Sequence, residues 1–277
     1  MALGTIALVL LAALLHASWN AVLRGGRDRF WSMAVINLAV SLPAIVSLPF
    51  IPLPARASWP FIVASGTLHV AYSLLLVRMY RLGELGETYP IARGSSPVLV
   101  TLGASLFAGE RLGPVSLIGV ALVSGGIVAL ALRGRRLAFA SAPAALMTGI
   151  CIAVYTVVDG LGVRAAGSDI AYIGWMFTFE ILTLPLFLAA RGLAAFKAPP
   201  RAFVAPAIGG LVSLTAYGIV ILALRIGPMG PVSALRETSS VFAALIGWLF
   251  LKETLTARRL GACIVIACGA LFLGLGR

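Results

Sequence analysis

The chain has 277 residues, of which 61% are hydrophobic and 11% charged, with a mean hydropathy of +1.06. Soluble domains carry about a quarter charged residues, so this composition excludes a soluble enzyme or binding module and points to an integral membrane protein. The net charge of +12 does not indicate nucleic acid, because the Lys and Arg residues cluster in short gaps between apolar runs, where they set membrane topology.

Apolar runs long enough to cross ~30 Å of hydrocarbon at ~1.5 Å per residue recur along the whole chain. They predict ten helices, over 2–23, 30–50, 59–80, 86–108, 115–132, 140–164, 170–190, 203–224, 229–250 and 260–275. The first lacks a basic leader and is too long for the apolar core of a signal peptide, so it reads as a helix of the mature protein. Gaps such as "RGGRDR" (24–29), "RGRRL" (133–137) and "RGLAAFKAPPR" (191–201) leave no room for a second, soluble domain. Cys151, Cys263 and Cys268 all fall inside these spans, where a small sulfur side chain packs well, and neither a disulfide nor a metal site is expected from them.

With an even number of spans the gaps divide into two sets. One holds Arg24, Arg27, Arg29, Arg78, Arg81, Arg133, Arg135, Arg136, Arg191, Lys197, Arg201, Lys252, Arg258 and Arg259; the other holds Arg56, Arg111, Arg164, Arg225 and Arg277. Fourteen basic residues against five place the first set in the cytoplasm and both termini outside. One span more or fewer would reverse that orientation.

The sequence repeats internally. Aligning "ARGSSPVLVTLGASLFAGERL" (92–112) with "LRETSSVFAALIGWLFLKETL" (235–255) at constant offset matches Arg93 with Arg236, Ser96 with Ser239, Phe107 with Phe250, Glu110 with Glu253 and Leu112 with Leu255. Two five-helix halves are therefore expected, residues 1–137 and 138–277. An odd number of helices per half inverts the second copy, the arrangement of alternating-access carriers, with the substrate site near the midplane where the halves meet.

A small-residue helix ending in Glu and Leu, here "SLFAGERL" and "WLFLKETL", resembles the repeat motif of the drug/metabolite transporter superfamily and, within it, the ten-helix EamA-type carriers. The resemblance covers almost the whole chain. Together with the "LHASWNAVLRGG" start, the chain is similar to the YddG group of aromatic amino-acid exporters. The resemblance implies a multi-pass protein of a bacterial inner membrane, an all-α fold, a small-molecule substrate and no cofactor. It marks Glu110 and Glu253 as recurrent acidic positions at helix ends. An acid near a helix C-terminus opposes the dipole unless paired, for instance with Arg111 or Lys252.

Polar residues inside the spans fall into stripes. His16 and Asn20 lie one turn apart on the first helix; His69, Tyr72 and Ser73 share a face of the third; Tyr89, Arg93 and Ser96 lie on the fourth, between and beside Pro90 and Pro97. Tyr155 and Asp159 share a face of the sixth helix, Ser213 and Tyr217 one of the eighth, and Ser233, Arg236, Glu237 and Ser240 one of the ninth. Such stripes need polar neighbours, and together they imply a wet central cavity whose mixture of rings and hydrogen-bonding groups suits amphipathic solutes of amino-acid size. The expected substrate-binding set is His16, Asn20, His69, Tyr72, Tyr89, Arg93, Tyr155, Asp159, Tyr217 and Arg236. Trp31, Trp59 and Trp248 read as interfacial anchors, and Trp19 and Trp175 as weaker cavity candidates.

A guanidinium two turns inside a span costs about 2.5 kcal/mol or more and needs partners. Arg93 therefore either anchors a substrate carboxylate or is neutralised by an internal acid; Asp159 and Glu237 are both open as partners of Arg93 or Arg236, Glu237 most simply of the adjacent Arg236. Asp159, Glu180 and Glu237 have two roles open, proton coupling or internal pairing, and His16 and His69 could titrate near neutrality. Glu180, near the middle of its span, is the most expensive of these acids. An enzyme is disfavoured: the sequence has no H-E-x-x-H, no Cys/His cluster, no Walker loop and no nucleophile and base at motif spacing. Carriers of lipid-linked intermediates, or of other metabolites and drugs, remain the alternative. The spacings Ala13/Ala17/Ala21 and Ala145/Gly149/Ala153 permit close helix contact, within a monomer or in a dimer.

Overall fold

A computed structural model describes residues 1–26, 28–82, 85–131, 142–251 and 256–276. In a bilayer every backbone N–H and C=O must be satisfied within the protein, and the chain meets this with helices alone; no strand occurs among the described residues. The helices are α1 (Leu3–Gly25), α2 (Arg29–Ser47), α3 (Trp59–Leu82), α4 (Leu85–Ala108), α5 (Pro114–Ala131), α6 (Ala142–Ala165), α7 (Asp169–Thr178), α8 (Thr183–Arg191), α9 (Pro200–Ile226), α10 (Met229–Arg236), α11 (Ser239–Leu251) and α12 (Ala257–Leu275). Among the described residues eight stretches are long and apolar enough to cross a membrane, and Pro114–Leu130 is a shorter apolar helix. Side-chain oxygens cap three N-termini: Asp28 accepts from the backbone N–H of Phe30 and Trp31, Ser168 from Ala171, and Thr256 from Arg259. Leu102, Leu106, Phe107, Ile264 and Leu271 stay exposed on the outside of the bundle, as lipid-facing positions should.

Two expected helices are interrupted. Instead of one rod over 170–190, α7 and α8 are joined by a 3-10 turn, Phe179–Leu182. Pro185, in the first turn of α8, has no N–H to give and its ring crowds the carbonyl of the preceding turn, which accounts for the tightened winding there. The stretch expected as one helix over 229–250 breaks between α10 and α11 at Glu237 and Thr238 with neither Pro nor Gly at the break. Here the Thr238 hydroxyl donates to the Leu235 carbonyl at 2.7 Å, and the Thr238, Ser240 and Val241 N–H groups bond three residues back. A side chain that competes for the backbone in this way replaces one α-turn with a tighter one. The "RGRRL" gap, Lys252 and Glu253 lie outside the described residues.

The two sequence halves interleave, because α1 packs on α9, and α6 packs on both α3 and α4. Small residues set the α4–α6 distance. Ala145 and Ala153 are buried, and a Cβ placed on Gly149 would lie 2.8 Å from the carbonyl oxygen of Ala92, next to Arg93. The spacing Ala145/Gly149/Ala153 thus makes an internal contact. Gly149→Ala is expected to push α6 off α4 at a cost of about 1–3 kcal/mol, read as a lowered melting temperature of the purified protein.

Chain ends and loops sort to the two ends of the bundle. At one end the Met1 amino group meets the Gly276 carbonyl, the Ala55 N–H bonds the Ala166 carbonyl at 3.0 Å, and Arg225 pairs with Asp169. At the other end Arg191 pairs with Asp28 at 3.1 Å, and Trp31 packs against Phe196 and Phe203. Trp59 and Trp175 pack edge to face at 4.9 Å; Trp175 therefore belongs with this aromatic pair and not with the cavity described below. Trp248 is half exposed on the outer surface.

Glu110 resolves its conflict with the α4 dipole in a way local sequence does not show. Gly109 takes a left-handed φ of +66°, which only glycine adopts at little cost, and turns the chain so that Glu110 faces back across the bundle. Its Oε1 accepts from Arg164 Nη2 at 2.7 Å and its Oε2 from the Met229 backbone N–H at 2.8 Å. Arg164 also donates to the carbonyls of Leu224 (3.0 Å) and Gly227 (2.8 Å). The carboxylate thus sits at the positive N-terminus of α10, where the dipole favours it.

Candidate functional site

Near the middle of the bundle α1, α3, α4, α6, α9 and α10 bring their polar stripes together with the turn between α7 and α8. A cavity of about 50 Å³ is lined by His16, Trp19, Asn37, His69, Tyr72, Tyr155, Phe177, Glu180, Ser213, Tyr217 and Arg236, among others. Of the expected set, His16, His69, Tyr72, Tyr155, Tyr217 and Arg236 line it; Asn20, Arg93 and Asp159 are buried just behind the lining. The side chain of Tyr89 lies outside those described. Trp19, a weaker candidate on sequence, lines the cavity, and its indole N–H donates to His16 Nδ1 at 3.2 Å.

Two charged clusters of opposite sign face this space. In the first, Glu237 sits at the break that ends α10 and accepts from both guanidiniums. Arg93 Nη1 reaches its two oxygens at 3.1 and 3.3 Å, while Arg236 Nε and Nη2 reach Oε1 at 3.3 and 3.1 Å. Arg93 Nη2 also contacts His16 Nε2 and lies 3.5 Å from the Tyr72 hydroxyl. All three charged side chains are buried, and two guanidiniums against one carboxylate leave this cluster with an excess positive charge. Glu237 is an internal partner of Arg93, and that acid is shared with Arg236.

The second cluster is acidic. Asp159 accepts from Tyr217 at 2.6 Å and Tyr172 at 2.9 Å, and its Oδ2 lies 3.3 Å from His69 Nε2. The other ring nitrogen, Nδ1, lies 3.5 Å from Glu180 Oε1. Glu180 reaches the site because it lies on the 3-10 turn, and its Oε2 is buried with no hydrogen-bond partner. Rings fill the space between the clusters: Tyr155 lies 4.3 Å from His69 and 5.6 Å from Tyr72, centroid to centroid, and the Arg236 guanidinium stands 5.9 Å from the Tyr217 ring. Below this layer Asn37 donates to Ser73 at 3.1 Å and Thr183 at 2.9 Å, tying α2 to α3 and α8.

Sequence reasoning did not single out Asn37, Tyr172, Phe177 or Arg164. A lone Asn in the centre of an apolar span was the available signal for the first. The other three gain their roles from helix rotations that spacing alone does not fix. Among the described residues no group of three or more His, Cys, Asp or Glu side chains is arranged to hold a metal ion.

A helical bundle of membrane-spanning length around a buried cavity lined by ionisable side chains is an architecture that fits a membrane transporter of small molecules. Comparison with known proteins places it further: the chain belongs to the EamA-like transporter family, whose sequence profile matches residues 140–275. It is 29% identical over 233 residues to the chloramphenicol-sensitive protein RarD of Pseudomonas aeruginosa, covering 79% of this chain and 75% of RarD. It is also 34% identical over 76 residues to the multidrug transporter PA4990 of the same organism, covering 27% of this chain and 68% of that one. A solved crystal structure superposes with a TM-score of 0.78 over 99% of this chain and 98% of the other, at 20% identity, which speaks for the fold alone.

Proposed function

We propose that the protein exports or facilitates the movement of amino acids with hydrophobic or aromatic side chains, by alternating access of two inverted five-helix halves, residues 1–137 and 138–277. The observation that carries this reading is the pairing of clusters: one cavity with surplus positive charge on one side, carboxylates on the other and tyrosine rings between them complements a zwitterion bearing an apolar side chain. In this reading Arg236, on the cavity wall, holds the substrate carboxylate, and Arg93 behind it fixes Glu237. Glu180, with a free oxygen, takes the ammonium, and Tyr72, Tyr155 and Tyr217 pack on the side chain. A volume of about 50 Å³ admits only a few waters, whereas ligand sites run to ~300 Å³ and more. Substrate therefore enters only when the halves part, for which the breaks at 179–182 and 237–238 supply flexible points.

Counterflow of labelled amino acids in proteoliposomes tests this directly, with phenylalanine and leucine expected to exchange and lysine and glutamate not. A second reading rests on the relatives, one described as chloramphenicol-sensitive and one as a multidrug transporter. Exchange of chloramphenicol without exchange of any amino acid would replace the first reading by the second. The basic-residue bias puts Lys197 inside and Arg56 outside. In a variant lacking the three native cysteines, Arg56→Cys should react with an impermeant thiol reagent added to intact cells, and Lys197→Cys only after lysis.

A further inference from the structure

His69 is held between two carboxylates, with Nε2 3.3 Å from Asp159 and Nδ1 3.5 Å from Glu180. A neutral imidazole has one N–H, so one of its nitrogens would turn a lone pair towards a carboxylate oxygen; only the doubly protonated ring donates on both sides. The arrangement accommodates an imidazolium, with one ring N–H directed at each carboxylate.

The surroundings distinguish the two acids. Asp159 keeps two other donors, the hydroxyls of Tyr172 on α7 and Tyr217 on α9, whether or not His69 is charged. Among the described residues Glu180 has the His69 contact alone, and its Oε2 is buried without a hydrogen-bond partner. Tyr155 of α6 covers the His69 ring at 4.3 Å. The remaining charged groups, Arg236, Arg93 and Glu237, form the cationic cluster across the cavity, with His16 in contact with Arg93. An ammonium arriving at Glu180 would stand beside the imidazolium and be repelled by it. Loss of the His69 proton removes the repulsion and frees Glu180 for the ammonium. The acidic cluster keeps the same charge in both states, one positive group against two carboxylates.

We propose that the protein exchanges a proton for its substrate at His69, the imidazolium proton and the substrate ammonium being alternative partners of Glu180. The proton is released to the aqueous side from which the substrate arrives and is taken up again when the substrate leaves on the other side, so an inward proton gradient drives export. This rests on the amino-acid reading above, and the test separates the two.

Counterflow of labelled phenylalanine at equal pH inside and out requires no net proton movement and reports on the substrate reading alone. The coupling is read in phenylalanine-free vesicles, acidic inside, with membrane potential clamped and labelled phenylalanine outside. Exchange of one proton per substrate accumulates label up to about tenfold for a gradient of one pH unit, and a protonophore abolishes the accumulation. In His69→Gln and Glu180→Gln, whatever counterflow remains should no longer respond to the gradient. Wild-type counterflow without gradient-driven accumulation, or accumulation only with the gradient reversed, overturns proton exchange and leaves the substrate reading standing. A wild-type gradient response in both variants overturns the assignment to His69 and Glu180. Failure of counterflow for phenylalanine and leucine overturns the substrate reading and the exchange with it.

Discussion

Glu237→Gln should be the most damaging single substitution in the protein. It removes the one carboxylate that Arg93 and Arg236 share and leaves two buried guanidiniums facing each other. Removing the acid from a buried ion pair costs about 3–5 kcal/mol, and here two guanidiniums lose their shared carboxylate together, so folded yield and melting temperature in detergent should both fall sharply. Arg93→Gln combined with Glu237→Gln should recover much of the loss, since one cation and one anion then leave together. A Glu237→Gln protein that melts like the wild type would show that the guanidiniums find other compensation and that Glu237 does not organise the site.

The second large effect separates the two arginines. Arg236 lines the cavity and Arg93 does not. Arg236→Gln removes a charge-assisted hydrogen bond to the substrate carboxylate worth about 1.5–3 kcal/mol, so apparent affinity for phenylalanine should fall roughly ten- to hundredfold. Lysine at 236 should restore only part of it, lacking the bidentate fork. Arg93→Gln should instead act on stability, because Glu237 keeps Arg236 but loses the cation that fixes it from α4. Binding and melting measured on the same two purified variants check this; the reverse pattern, affinity lost at 93 and stability lost at 236, would move the carboxylate site onto α4.

Much of this site could be read from sequence, and what could not has a physical reason. Polar stripes at helical spacing identified His16, His69, Tyr72, Tyr155, Tyr217 and Arg236, because an intramembrane polar group must face an interior and residues one turn apart face it together. The neutralisation of Arg236 by Glu237 followed from adjacency. That Arg93 uses the same acid, 144 positions away, was one of several pairings the sequence left open, since the choice depends on how α10 packs against α4. The union of Asp159 and Glu180 through His69 was equally hidden: it needs the 3-10 turn that rotates Glu180 inward. The break at 237–238 carried no warning from Pro or Gly, and Glu110 was matched with nearby bases when its partner, Arg164, lies 54 positions on.

The clasp of Glu110 on the Met229 N–H has a mechanical consequence. Met229 is the first residue of α10 and Arg236 the last, about 10 Å apart at ~1.5 Å per residue, joined by two turns of helix with a break immediately beyond. Such a rod tilts as one piece. Any force on Arg236, from a bound anion or from Glu237, is delivered as a displacement at Met229, and loosening of the Glu110–Arg164 pair at the membrane surface frees the far end to swing. The eight residues of α10 therefore join two charged pairs through one short rod, Arg236 with Glu237 at its buried end and Glu110 with Arg164 at its rim.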